Sequence, residues 1–181
     1  DILTKKKNIR LLIQEIPFKF DKNEIEYRMM SEGMLVQDRD NSLLLEVKNM
    51  AKRQPTTVEK ESLDFAWKVC KNVKSNAIIL VRGKQTVGVG AGQMSRIDSL
   101  QIALKKMSEI QGLDALPISK QPLVLASDAF FPFPDVVEAS AKAGITAIIQ
   151  PGGSIKDEES IKVADSANIS MLSTSMRHFK H

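Results

Sequence analysis

Apolar and polar positions divide this chain into a blurred first third and a sharply patterned remainder. From Pro55 onward, short apolar runs alternate with stretches in which apolar residues recur every three or four positions. The runs Ala77–Val81, Leu123–Ala126, Ile145–Ile149 and Ile169–Ser173 read as buried strands. Between them the spacing predicts helices. The first covers 57–73, with Leu63, Ala66, Trp67 and Cys70 on its core face. A second carries Ile97, Leu100, Leu104, Met107 and Ile110 and stops at Gly112, and a third runs from Val136 to Gly144. A fourth reaches about Ala167. Hydroxyl or carboxylate caps are expected at Thr56 (with Glu59), Ser95 (with Asp98), Asp135 (with Glu138) and Ser154 (with Asp157). Arg82-Gly83-Lys84-Gln85 reads as a hairpin turn into a return strand, Thr86–Gly90.

Before Pro55 the pattern is weaker. Asn8–Ile13 and Gly33–Gln37 alternate well enough for strands, with a turn at Asp21–Glu24. Residues 1–54 are therefore hard to read, and residues 55–181 read as an α/β unit.

The strands at 123–126, 145–149 and 169–173 alternate with helices, so right-handed crossovers make them parallel. Their following loops then share the carboxyl edge of the sheet, where open α/β sheets take ligands. That edge gathers Phe130–Asp135, Gly152–Ser154 and Arg177–His181, and the strand running on to Gln93 reaches it too. Three of the seven phenylalanines fall in the first of these loops. They either fold back on the core or form a flat surface for a ligand. Asp135 is either a helix cap or a carboxylate that pairs with the adjacent donors of a heterocycle. Gly88, Gly90 and Gly92 mark either a bulged edge strand or a close approach by a backbone or ligand. Gly152 and Gly153 form either a plain turn or a run of amides open to an anion. Arg96 sits in the first turn of its helix against the macrodipole, which hints that it faces an anion. Both histidines lie in the last residues, after a buried strand, which suggests a docked tail. The set suits a planar heteroaromatic ligand bearing anionic groups.

Composition narrows the classes. The 181 residues are 43% hydrophobic, enough for one core. A net charge of +4 is mild and scattered, which suits an anionic small molecule better than a nucleic-acid track. The single cysteine excludes an internal disulfide and fits a reducing cytoplasm. No apolar run is long enough to span a membrane. A zinc deaminase would need a Pro-Cys-x-x-Cys run, which one cysteine cannot supply, and no metal centre is expected. The chain starts at Asp1 without a methionine and reads as a piece of something longer.

Five motifs, in order, carry a resemblance. They are Lys74-Ser75-Asn76-Ala77, Gly90-Ala91-Gly92-Gln93-Met94-Ser95-Arg96-Ile97-Asp98, Ser127-Asp128-Ala129-Phe130-Phe131-Pro132-Phe133, Gln150-Pro151-Gly152-Gly153-Ser154 and Arg177-His178-Phe179-Lys180-His181. Together they resemble the C-terminal part of the PurH family of bifunctional purine-biosynthesis enzymes, which combine AICAR transformylase with IMP cyclohydrolase. The resemblance implies a cytidine-deaminase-like three-layer α/β sandwich with a mixed, largely parallel sheet. It implies the second of two such subdomains, preceded by a connecting segment within the transformylase region. It also implies part of a cytoplasmic, homodimeric, folate-dependent formyltransferase that moves formyl from 10-formyltetrahydrofolate to AICAR, with a cyclohydrolase (hydrolase) domain elsewhere. Carried over, Asn76 and Arg96 would contact AICAR in a site shared across a dimer. Ile97, Phe130, Asp135, Gly152, Gly153 and Arg177 would contact folate. A potassium ion held by loop carbonyls is a further implication. The family's catalytic Lys-His pair belongs to the other subdomain, and the only such dipeptide here is Lys180-His181. The segment is therefore expected to hold no catalytic residue and to be nearly inactive alone. The rival reading is a non-catalytic folate- or nucleotide-binding and dimerisation module.

Overall fold

A computed structural model describes residue 5 and residues 8–13, 24–115 and 117–180. The chain divides into two compact units, Asp1–Asn41 and Ser42–His181.

In the first unit, strands β1 (Ile25–Met30) and β2 (Gly33–Asp38) form an antiparallel hairpin, Ile25 opposite Asp38 and Met30 opposite Gly33. The strand expected at Gly33–Gln37 is thus present, but its partner is β1. Asn8–Ile13, expected as a strand, is not one. A strand must hand its amides and carbonyls to a neighbour, and among the described residues this stretch pairs with none. Most of the turn expected at Asp21–Glu24 lies outside the described residues. No described residue of this unit is buried.

The second unit is built on one six-stranded sheet. Its strands are β3 (Lys48–Asn49), β4 (Ile78–Arg82), β5 (Gln85–Gly90), β6 (Leu123–Ser127), β7 (Ala147–Gln150) and β8 (Ser170–Ser173), in the order β3-β8-β7-β6-β4-β5. The expected parallel set β6, β7 and β8 forms. The sheet as a whole is less parallel than expected, because β3–β8, β4–β6 and β4–β5 all pair antiparallel. The hairpin at Gly83 reverses the chain at one edge, and the short strand from the 42–54 segment closes the other.

Helix α1 (Thr57–Cys70) covers one face, and α2 (Arg96–Ser108), α3 (Asp135–Lys142) and α4 (Asp157–Ser166) cover the other. The strands alternate between these two cores. Ile78 and Leu80 point to the α2–α4 side, while Ala77, Ile79 and Val81 point to α1 with Trp67 and Cys70. That double burial explains why the central strands read as unbroken apolar runs.

Helix α1 starts with the expected capping box: the Glu59 amide donates to Thr56 Oγ1 (3.2 Å) and the Thr56 amide donates to Glu59 (2.8 Å). It ends earlier than expected, at Cys70, capped by Lys71. Arg53, from the segment before α1, forks onto Glu59 at 3.0 and 2.7 Å and also reaches the Thr146 carbonyl and Ser170 Oγ. Burial pushes the Glu59 carboxyl up, but hydrogen bonds from Arg53, Thr146 and Thr56 and the Arg53 charge outweigh it and hold it at about 2.

The glycine-rich strand resolves in favour of a backbone neighbour. A Cβ on Gly90 would stand 1.8 Å from the Ser99 carbonyl oxygen, and one on Gly88 would stand 2.3 Å from that of Ala103. These glycines let α2 lie directly on β5. The β4–β5 register also shifts between Leu80 and Val81, so the bulged edge strand is real as well.

Candidate functional site

The strand register builds the site. Leu125 pairs with Ile148 and Ile148 with Met171, so the ends of β6, β7 and β8 open on one edge. Strand β4 runs the other way, with Ile78 opposite Ser127, so its entry segment Lys74–Ala77 arrives at that same edge. Four stretches far apart in sequence therefore meet: 74–77, 91–96, 127–135 and 174–180.

Asp128 is the knot between them. It is fully buried. Its carboxylate accepts from Ser75 Oγ, at Oδ2. Oδ1 has no hydrogen-bond partner among the described residues and lies 3.6 Å from Arg96 Nη2. The Asp128 amide donates to the Ala77 carbonyl (3.4 Å), and its own carbonyl accepts from the His178 amide (3.1 Å). Ser75 continues the web: its amide donates to the Lys180 carbonyl (2.8 Å), and its hydroxyl accepts from the Lys180 amide (3.0 Å). Arg96 does face an anion, as its place in the helix suggested, and that anion is Asp128.

Around this knot lie four of the eight expected ligand residues, Asn76, Arg96, Phe130 and Arg177. Asn76 Nδ2 donates to the Gln93 carbonyl (2.8 Å), and the Asn76 carbonyl accepts from Ser99 Oγ (2.8 Å), which fixes the loop before Arg96. The Arg177 guanidinium lies 4.5 Å over the Phe130 ring. Burial pulls the Arg96 guanidinium below its ordinary value, with Asp128 opposing and Arg177 adding to the fall, so the two arginines feel one another. Phe131 is fully buried, Phe130 is half-buried and Phe133 is exposed. The three rings thus divide between the two readings.

The remaining residues depart from expectation. Asp135 is not an N-cap. Pro134 holds that position in the αR region, without a side-chain hydrogen bond, and Asp135 opens the helix with Oδ1 accepting from the Val136 amide (2.8 Å). A proline has its backbone angle fixed at helical values, so the helix starts one residue earlier than a carboxylate cap would set it. Ser154 does not cap α4 either; Lys156 precedes it. Instead Asp157 Oδ2 accepts from the Gly153 (2.7 Å) and Ser154 (3.1 Å) amides, and Gln150 Oε1 accepts from Gly152 (2.9 Å). The amides expected to await an anion are already occupied by the chain's own side chains.

This loop still belongs to the edge. The Thr174 amide donates to the Gln150 carbonyl, the Ser175 amide donates to that of Pro151, and Lys156 Nζ stands 5.0 Å from the Phe133 ring centre. Ile97 packs partly against the core.

The tail is docked. His178 is buried 5.0 Å from the Trp67 ring, and its Nε2 lies 2.9 Å from the Leu43 carbonyl, which also accepts from Trp67 Nε1 (2.6 Å). A carbonyl only accepts, so His178 carries its proton on Nε2. Cys70 is buried, and burial pushes its thiol well above the ordinary value, with Asp128 adding to the rise; it is not a nucleophile. Sequence reasoning missed Ser75 and Asp128 as a functional pair. One signal was present: an acidic residue placed directly after an all-apolar strand must find a partner.

Two clefts of about 380 and 390 Å³ lie elsewhere, one between Trp67 and Leu172, the other beside Arg82 and Pro117. Neither includes an expected ligand residue. No group of three or more His, Cys, Asp or Glu that could hold a metal occurs among the described residues.

A family model described as AICARFT/IMPCHase bienzyme matches residues 1–106. The chain belongs to that family. Across its full length it is 51% identical to the bifunctional purine biosynthesis protein PurH of Chlorobaculum parvum and 51% identical to that of Persephonella marina. It is 48% identical to that of Sorangium cellulosum. It covers 34% of each, so the chain spans about a third of the length of these relatives.

Proposed function

We propose that this chain is one part of a folate-dependent formyltransferase of purine biosynthesis, which moves formyl from 10-formyltetrahydrofolate to AICAR. The partner activity, IMP cyclohydrolase, belongs to other parts of the longer protein. One observation carries the reading: the Asp128–Arg96 pair and the Arg177–Phe130 pair lie at one sheet edge, in a chain of this family. A three-layer unit with its sites at that edge is consistent with a cytidine-deaminase-like fold, and we assign it so.

The division of labour proposed is the one the family resemblance implies. Phe130 under Arg177 offers a flat, cation-topped platform for a pterin ring. Asp135, half-buried at the first position of α3, would pair its carboxylate with the adjacent donors of an aminopyrimidinone. Ile97 and the backbone of Gly152–Gly153 line the remainder of the folate side. Arg96, anchored by Asp128, and Asn76, anchored at Gln93, serve the phosphoribosyl-imidazole. Formyl transfer also needs a base at the attacking amine. No Lys-His pair follows an apolar strand here, so that base comes from outside this chain, in a cytoplasmic homodimer with shared sites.

A potassium ion held by loop carbonyls remains part of the proposal on the family resemblance alone; Asp128 Oδ1 is not its ligand, because that oxygen faces the Arg96 guanidinium at 3.6 Å.

The test is formyl transfer, followed by loss of the folate co-substrate's formyl group. The full-length protein should turn over, and the 181-residue chain alone should be nearly inactive. Comparable turnover by the isolated chain, or none by the full-length protein, contradicts the reading.

A further inference from the structure

The loop after β7 is held by more than its own turn. Gln150 ends that strand with its side chain fully buried. The two ends of its carboxamide differ, and each finds a partner of the matching kind. Oε1 accepts from the Gly152 amide (2.9 Å), while Nε2 faces two thioether sulfurs, Met50 Sδ at 3.5 Å and Met171 Sδ at 3.8 Å. A backbone N–H only donates and a thioether only accepts, so this orientation of the group satisfies all three.

Gln150 also acts through its backbone. Its carbonyl accepts from the Thr174 amide (3.0 Å), and the Pro151 carbonyl accepts from the Ser175 amide (3.0 Å). The residue therefore joins the glycine loop to the tail that carries Arg177. Asp157 closes the loop from its other side, through the Gly153 and Ser154 amides. Both glycines are left-handed, Gly152 at φ +73° and Gly153 at φ +90°. A Cβ on Gly152 would stand 3.1 Å from Ser173 Cβ and 3.8 Å from Met50 Cε. Two glycines in a row have little conformational preference of their own, so Gln150 and Asp157 set the shape of this loop.

We propose that Gln150 is a positioning residue for the folate co-substrate, a role that rests on the reading of this loop as folate-lining. Full burial keeps its side chain from the ligand, and its effect passes through the Gly152 backbone. The carboxamide is needed for both of its ends. A glutamate there would bury a charge and turn an acceptor toward two sulfurs. A methionine fits between Met50 and Met171 but leaves the Gly152 amide unpaired.

Steady-state kinetics of the full-length protein separate positioning from a merely structural role. Gln150→Met should raise KM for 10-formyltetrahydrofolate roughly tenfold, with KM for AICAR and kcat within about twofold of the parent. Asp157→Ala frees the loop from its other side and should show the same split. Equal rises in both KM values, or a fall in kcat alone, overturn the inference. So does an unchanged folate KM in both variants while Arg177→Ala raises it. If Arg177→Ala also leaves the folate KM unchanged, the folate reading of this edge fails first and takes the role of Gln150 with it.

Discussion

The two units differ in what surrounds their strands. In Ser42–His181 the apolar runs are sandwiched, Ile78 and Leu80 against one helical layer and Ile79 and Val81 against another. In Asp1–Asn41 the strands β1 and β2 mix charged and apolar residues, and no described residue is buried. Alternation of side chains therefore specifies a strand only where a neighbour receives its backbone hydrogen bonds, as β1 does for β2 and no described residue does for Asn8–Ile13. Burial, rather than local propensity, separates the two.

The largest expected effect falls on the knot in the layered unit. Asp128→Ala leaves the mostly buried Arg96 without its counter-charge and frees the Ser75 hydroxyl, so it should cost roughly 3–5 kcal/mol in urea unfolding of the chain. Gly90→Ala drives a Cβ into the Ser99 carbonyl and should cost roughly 1–3 kcal/mol by the same measurement. An unchanged midpoint there would mean that α2 does not rest on β5.

A smaller, pH-dependent effect comes from Glu59. Its folded value is about 2 against an ordinary 4.5, so the folded state holds the proton less tightly. The stability it contributes is fully present above pH 4.5 and is lost as pH falls through about 2. Glu59→Gln should flatten that acid-side slope in unfolding curves taken across the window. The smallest effect belongs to the uncovered unit: Leu12→Ala should change the stability of this chain by less than about 0.5 kcal/mol.

Most of the layered fold was legible beforehand. Leu123–Ala126 and Ile145–Ile149 are apolar because both sides are covered, and Thr56 and Ser95 sit where helix amides need acceptors. The parallel strands then fixed which loops share an edge. What escaped was decided by contacts that local pattern does not record. Ser75 and Asp128 are 53 residues apart, and only the antiparallel β4–β6 register brings them together. Asp157 looked like the partner of a Ser154 cap, but its carboxylate turns back to the Gly153 and Ser154 amides. Asp135 looked like a cap because nothing in its spacing reveals that Pro134 already starts the helix.

The claim that one sheet edge holds two ligand subsites is tested most directly by separate titrations of the full-length protein with a folate analogue and with AICAR. Arg177→Ala should weaken the folate analogue roughly tenfold and leave AICAR nearly unchanged. Arg96→Leu should do the reverse. If each substitution leaves both affinities as they were, the edge carries no such pair of subsites, and the functional assignment falls with it.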